Sequence, residues 1–120
     1  MEMNEYQKYA KTTDNYSSNI DLITKDLEMR IITKLEYSIN GLGSEIGELQ
    51  GKLKKFLRGD YDMARLIKEA KPEIGDILWY ISDVCSNFGF ALDDVARDNL
   101  DKLHSRMMRG KINGDGDNRW

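Results

Sequence analysis

The chain has 120 residues, 40% hydrophobic and 32% charged, with 21 acidic and 18 basic side chains and a formal net charge of −3. That length fits one domain, and the mildly acidic balance, with basic residues interleaved among acids, argues against a nucleic-acid partner. A single cysteine, Cys85, excludes an internal disulfide framework and fits a reducing compartment, while a single histidine, His104, excludes most histidine-based catalysis and any Glu-x-x-His di-iron arrangement.

The opening MEMNEYQKYAKTTD has no apolar centre of the kind a secretory signal carries. No apolar run approaches the roughly 18 residues of a spanning helix, so the expectation is a cytoplasmic protein with no membrane contact. With one proline, at 72, and no strand-like alternation, the chain reads as all-α. The spacing predicts a short helix over residues 3–12. Residues 13–27, TDNYSSNIDLITKDL, are polar and turn-rich at their start and read as a loop leading into helix. A long second helix is predicted over 28–58, stopping at Gly59, with a kink or break near Gly41 and Gly43. RGDYD is a turn. A third helix is predicted over 62–87, kinked or restarted at Pro72 and ended by Gly89. A fourth runs over 92–108, with Asp93 and Asp94 in the first turn, where the helix dipole favours acids. Residues 1–109 form the domain. Residues 110–120, GKINGDGDNRW, are a glycine-rich tail, either mobile or an ordered flap.

Projected at 100° per residue, the second helix carries an apolar stripe of Leu42, Ile46, Leu49, Leu53, Phe56 and Leu57. Glu45, Glu48, Lys52 and Lys55 form a polar column along its edge. Gly43, Gly47 and Gly51 form a ridge without side chains, suited to close helix packing within or between subunits. On the third helix Ile74, Ile77, Leu78, Ile81, Val84, Cys85 and Phe88 make the apolar stripe, which places Cys85 as a buried thiol. Beside it lie Glu69, Glu73, Asp76, Tyr80, Asp83 and Asn87, within roughly 80° of arc. Like charges one turn apart repel, so such a column at the rim of a core is solvated, paired or holding cations. Trp79 falls off the stripe and is expected at a subunit interface or a stacking surface, the interface being preferred.

Carboxylates at i, i+3 aim two oxygen ligands the same way, and two such pairs on facing helices make an all-oxygen cage. Hard Mg²⁺ prefers this, retaining waters and taking phosphate oxygens, and such ions clamp a phosphate chain and activate water. The spacing alone is weak, because acidic pairs at i, i+3 also occur at Glu2/Glu5 and Asp98/Asp101. Glu45/Glu48 and Glu73/Asp76 are set apart by flanking apolar stripes and by standing beside a glycine, Gly47 or Gly75. On the fourth helix Asn99, Lys102 and Arg106 share a face at i, i+3, i+7, which suits a polyphosphate. Salt bridging to Asp98 and Asp101 is the other reading of those cations. Lys52 and Lys55 either touch phosphate or pair with Glu48.

SEIGELQGKLKK followed by PEIGDILWYISDV resembles the all-α nucleoside triphosphate pyrophosphohydrolases, the MazG-like family, whose signature is E-x-x-E and then E-x-x-D. The halves here are Glu45/Glu48 and Glu73/Asp76, separated by the 24 residues 49–72. NLDKLHSRM is similar to the family's N-x-x-K-L-x-x-R stretch, and the opening YQKYAKTT and the GKINGDGDNR tail resemble the small stand-alone members. Pro72 directly before Glu73 departs from the pattern, and Ser44 departs slightly. The resemblance implies a four-helix-bundle-like fold assembled as a homodimer or homotetramer, with sites completed near subunit contacts. It implies Mg²⁺, with Mn²⁺ as a substitute, on Glu45, Glu48, Glu73 and Asp76, and hydrolysis of a (deoxy)nucleoside triphosphate to monophosphate and pyrophosphate. Glu45 or Glu48 would prepare the attacking water. Lys52, Lys55, Asn99, Lys102 and Arg106 would bind phosphate, Tyr80 the sugar or base, and Asp83, with Asn87, a base edge. Alternatives are the same fold acting on a nucleoside diphosphate, a modified nucleotide or phosphoribosyl-ATP, or a non-catalytic helical interaction module.

Overall fold

The computed structural model describes residues 1–110, which form five helices and no strand: α1 (Met3–Lys11), α2 (Ser17–Ile23), α3 (Leu27–Leu57), α4 (Met63–Phe88) and α5 (Leu92–Met108). The tail beyond residue 110, and with it the expected flap, lies outside the described residues. The long hairpin of α3 and α4 is the frame of the molecule. α1 packs on α4 and α5, and α2 packs on α3.

The helix boundaries follow from local chemistry. Asp26 and Asp62 cap α3 and α4, their carboxylates accepting the Met29 and Arg65 N–H groups, each at 2.9 Å. Gly59 and Gly89 close the same two helices at φ 88° and 82°. At Gly59 the Asp60 N–H reaches the Lys55 carbonyl and the Gly59 N–H the Phe56 carbonyl, and at Gly89 the Phe90 and Gly89 N–H groups reach Cys85 and Ser86 in the same way. α5 has no side-chain cap of its own. Its start is held from α1: Gln7 Oε1 accepts the Leu92 N–H at 2.8 Å and Asn4 Oδ1 the Asp93 N–H at 3.1 Å.

Three expectations are corrected. Residues 17–23 are helical rather than loop, because Asp14 accepts the Tyr16 and Ser17 N–H groups, each at 3.0 Å, and so seeds a turn in a polar segment. α3 has no break at Gly41 and Gly43, and α4 does not restart at Pro72. A proline inside a helix forfeits one backbone hydrogen bond, and the bonded turns on either side of Pro72 carry α4 across it. The glycine ridge is not a packing seam within the protomer, since a Cβ placed on Gly43, Gly47 or Gly51 would meet nothing within 4 Å. The close approach is at Gly41, where a Cβ would stand 2.1 Å from Tyr80 Cε1.

The buried apolar side chains among the described residues are few: Tyr16, Ile20, Cys85 and Leu92. The apolar stripes read from the sequence are only half covered. Ile32, Ile39, Ile46 and Leu53 repeat every seven residues on α3, as do Ile67, Ile74, Ile81 and Phe88 on α4, and all eight are exposed. The accessible surface is 8681 Å², against about 6,700 Å² for a compact monomer of this mass.

Candidate metal centre and adjoining cleft

The acidic column of α4 separates into parts with different partners. Glu69 takes Arg65 at 3.5 Å. Glu73 and Asp76 face Glu45 across the hairpin, and one carboxylate oxygen from each of the three lies within 4.8 Å of the others. Asp83 points away into a polar core. Its Oδ2 accepts the Tyr16 hydroxyl at 2.5 Å, and its side chain is 2% exposed with Lys11 Nζ 3.6 Å from Oδ1. Asn87 Nδ2 belongs to the same network, donating to Tyr16 Oη at 2.8 Å and to Ser38 Oγ at 3.1 Å. Asp83 and Asn87, read from the sequence as base-edge contacts, therefore tie α2 to α4 and α3. Burial and then Asp83 push the Tyr16 hydroxyl well above its ordinary pKa.

The three-carboxylate cluster is electrostatically unsatisfied. Glu45 Oε2 and Glu73 Oε2 are buried and accept no hydrogen bond from the described residues. Desolvation, then the charges of Glu48, Asp76 and Glu73, raise the Glu45 pKa. Glu73 is raised by desolvation and then by Glu48 and Asp76, with Lys52 pulling the other way. Buried carboxylate oxygens held together without donors are what a hard divalent cation satisfies, so the residues present fit such an ion, with Glu45, Glu73 and Asp76 as ligands. Glu48 stands exposed at the rim, where it borders a shallow cleft of about 220 Å³ with Gly51, Lys52, Lys55 and Glu73.

On the other side of the cluster a cleft of about 350 Å³ is lined by Thr13, Asn15, Tyr37, Glu45, Asp76, Trp79 and Tyr80. Tyr80 fits it because Gly41 leaves room for the ring. Desolvation, then Tyr37 and Glu45, raise the Tyr80 pKa. Trp79, expected at a subunit interface, is engaged inside the protomer: its indole N–H donates to Thr13 Oγ1 at 2.7 Å and its ring meets Tyr80 edge-on at 4.9 Å. Nothing in the spacing of TTDNY marked Thr13 or Asn15 as cleft residues; only the fold of the α1–α2 corner brings them there.

The fourth-helix residues lie elsewhere. Asn99 and Lys102 line a separate cleft of about 610 Å³ with Gly89, Phe90, Ala91, Asp94, Val95 and Asp98. Arg106 is 2% exposed. α5 makes no packing contact with α3, and Asn99, Lys102 and Arg106 line neither of the two clefts that border the carboxylate cluster.

Three of the four carboxylates that carry the sequence resemblance converge across the helical hairpin, and comparison with known proteins decides the family. Residues 34–109 match the family described as the MazG nucleotide pyrophosphohydrolase domain. The chain belongs to that family. The match spans the whole of α4 and α5 and most of α3, including Glu45, Glu48, Glu73 and Asp76. The chain is also similar to the Gene 37 protein of Mycobacterium phage L5, 39% identical over 93 residues, which cover 73% of this chain and 79% of that protein. No solved structure matches the chain. No described helix is long and apolar enough to cross a membrane.

Proposed function

We propose that this MazG-family protein is a Mg²⁺-dependent hydrolase that converts a (deoxy)nucleoside triphosphate to its monophosphate and pyrophosphate. The observation that carries the reading is the convergence of Glu45, Glu73 and Asp76, with two buried oxygens lacking donors, inside the family-matched segment. A divalent cation on these ligands would neutralise phosphate charge and lower the pKa of a water. The chain's own residues do the rest. Glu45 and Glu48 are the candidates for accepting the proton of the attacking water, and Glu45, with its pKa raised, is the one inside the cluster. Lys52 and Lys55 border Glu48 and Glu73, where they would meet phosphate oxygens. Tyr80 would contact the nucleoside.

The protein acts as a homo-oligomer in this proposal. Two uncovered heptad stripes on neighbouring helices support this reading, since a second copy would supply matching stripes. Asn99, Lys102 and Arg106 would then serve a site completed near that contact.

The test is product analysis. The protein is incubated with each common NTP and dNTP, with Mg²⁺ or with EDTA, and the products are separated by ion exchange. Monophosphate and pyrophosphate in the Mg²⁺ lanes alone, abolished by Asp76→Asn in a folded protein, is the expected result. Intact triphosphates throughout would refute it, and a panel of diphosphates and modified nucleotides would show whether the same fold serves another nucleotide.

A further inference from the structure

The corner between α1 and α2 consumes almost every polar side chain it contains. Thr12 Oγ1 donates to the Tyr9 carbonyl at 2.6 Å, and Thr13 Oγ1 to the Ala10 carbonyl at 2.7 Å while accepting the Trp79 indole N–H. Asp14 takes Lys11 Nζ at 2.6 Å, the backbone N–H groups of Tyr16 and Ser17, and the Ser17 hydroxyl. Tyr16 is anchored on Asp83 and its ring stacks on Tyr37, with 3.8 Å between centroids. Asn15 is the exception: its side chain makes no hydrogen bond with any described residue, yet it lines the cleft beside the carboxylate cluster. Nor does the backbone call for asparagine, because no described non-glycine residue has positive φ.

A corner tied down by its own hydrogen bonds, presenting the exposed and unengaged Asn15 amide to a cleft, offers that amide to a ligand. Glu45 and Asp76 mark the end of the cleft where a cation and phosphates would sit, and Trp79 and Tyr80 supply aromatic surface along it. Aromatic side chains stack on any base and do not choose among bases. A carboxamide offers one acceptor and two donors, the complement of a neighbouring donor and acceptor on a base edge.

We propose that the nucleobase of the substrate lies in the Thr13–Asn15–Trp79–Tyr80 cleft and that the Asn15 carboxamide is its specificity-determining contact. This rests on the nucleotide reading above. The experiment measures kcat/KM for NTPs and dNTPs of all four bases with wild type, Asn15→Ala and Asn15→Asp, and inhibition by inorganic tripolyphosphate, which has no base. Wild type is expected to favour one base. Asn15→Ala should lower kcat/KM for that nucleotide about tenfold and narrow the ratios among bases, while tripolyphosphate inhibition and the melting curve stay as in wild type. Asn15→Asp, which keeps the acceptors and loses the donors, should change the rank order. Unchanged base ratios in Asn15→Ala, a loss equal for every nucleotide and for tripolyphosphate, or a wild type indifferent to the base overturns the assignment while leaving the hydrolase reading intact. A wild type that cleaves none of the nucleotides overturns both.

Discussion

Gly41→Ala sets two known effects against each other at one position. Alanine in place of glycine inside a helix gains about 1 kcal/mol from backbone propensity. At Gly41 the new methyl would lie 2.1 Å from Tyr80 Cε1 and 2.5 Å from Cζ, far inside van der Waals contact. Tyr80 cannot swing aside freely, since Trp79 stands edge-on at 4.9 Å and Tyr37 lines the same cleft. Forced overpacking of this kind costs about 1–3 kcal/mol. Gly43→Ala is the matched control: it carries the same propensity gain and meets nothing within 4 Å. The propensity terms cancel between the two variants, leaving Gly41→Ala less stable than Gly43→Ala by about 1–3 kcal/mol. Urea unfolding at one protein concentration, with equal m-values, measures the gap. The KM for nucleotide should also rise in Gly41→Ala, because the displaced ring lines the cleft. Gly41→Ala as stable as Gly43→Ala, with unchanged KM, would refute the close approach and the place of Tyr80 in the site. If Gly47 and Gly51 lie at the subunit contact, alanines there will weaken assembly. That shows as a stability loss which deepens on dilution and is absent from Gly41→Ala.

Glu45→Gln should raise the melting temperature of the metal-free protein at pH 7. Glu45 and Glu73 have raised folded pKa values, so the folded cluster holds its protons more tightly than the unfolded chain, and stability falls as pH climbs through that raised carboxylate range. The gain should vanish near pH 4. Mg²⁺ at about a hundred times its Kd should add about 2.7 kcal/mol to wild type and markedly less to Glu45→Gln, read by calorimetric or fluorescence melts. Tyr16→Phe removes the hydroxyl that Asp83 accepts in a buried site, and should cost about 1.5–3 kcal/mol in urea unfolding; a loss below 0.5 kcal/mol, the scale of an ordinary surface change, would show the Tyr16–Asp83–Asn87 network to be dispensable. Paired Ile39→Lys and Ile74→Lys changes place charge on both exposed heptad stripes. Light scattering should show wild type at a multiple of 13.9 kDa and the double variant shifted to monomer, since each buried isoleucine is worth about 1.5–3 kcal/mol; an unshifted mass would remove the stripes from the interface.

The sequence made the long elements legible because their signals are local. Periodicity places α3 and α4, and Gly59 and Gly89 mark where they stop, whereas the caps at Asp26 and Asp62 emerge only in the structure. The carboxylate pairs were readable for the same reason, since i, i+3 on a helix is a fixed geometry. What was hidden depends on contacts distant in sequence. α2 is nucleated by Asp14 from outside the helix. Asp83 looks like one more member of an acidic column until Tyr16, 67 residues away, is brought against it. G-x-x-x-G-x-x-x-G suggested close packing, yet the glycine that permits it is Gly41, outside that repeat, because Tyr80 lies over that point of α3. The apolar stripes were read only in part, without Ile32, Ile39 and Ile67, and periodicity does not say how much of a stripe its own chain will cover.

Asn4 and Gln7 of α1 hold the start of α5, so two segments some 85 residues apart in sequence depend on one another for their hydrogen bonds. Hydrogen exchange should show α1 and the first turn of α5 opening together, as one cooperative unit. Removing residues 1–7 would release the N-terminus of α5 while leaving the carboxylate cluster's own ligands in place, so the two halves of the molecule can be loosened separately.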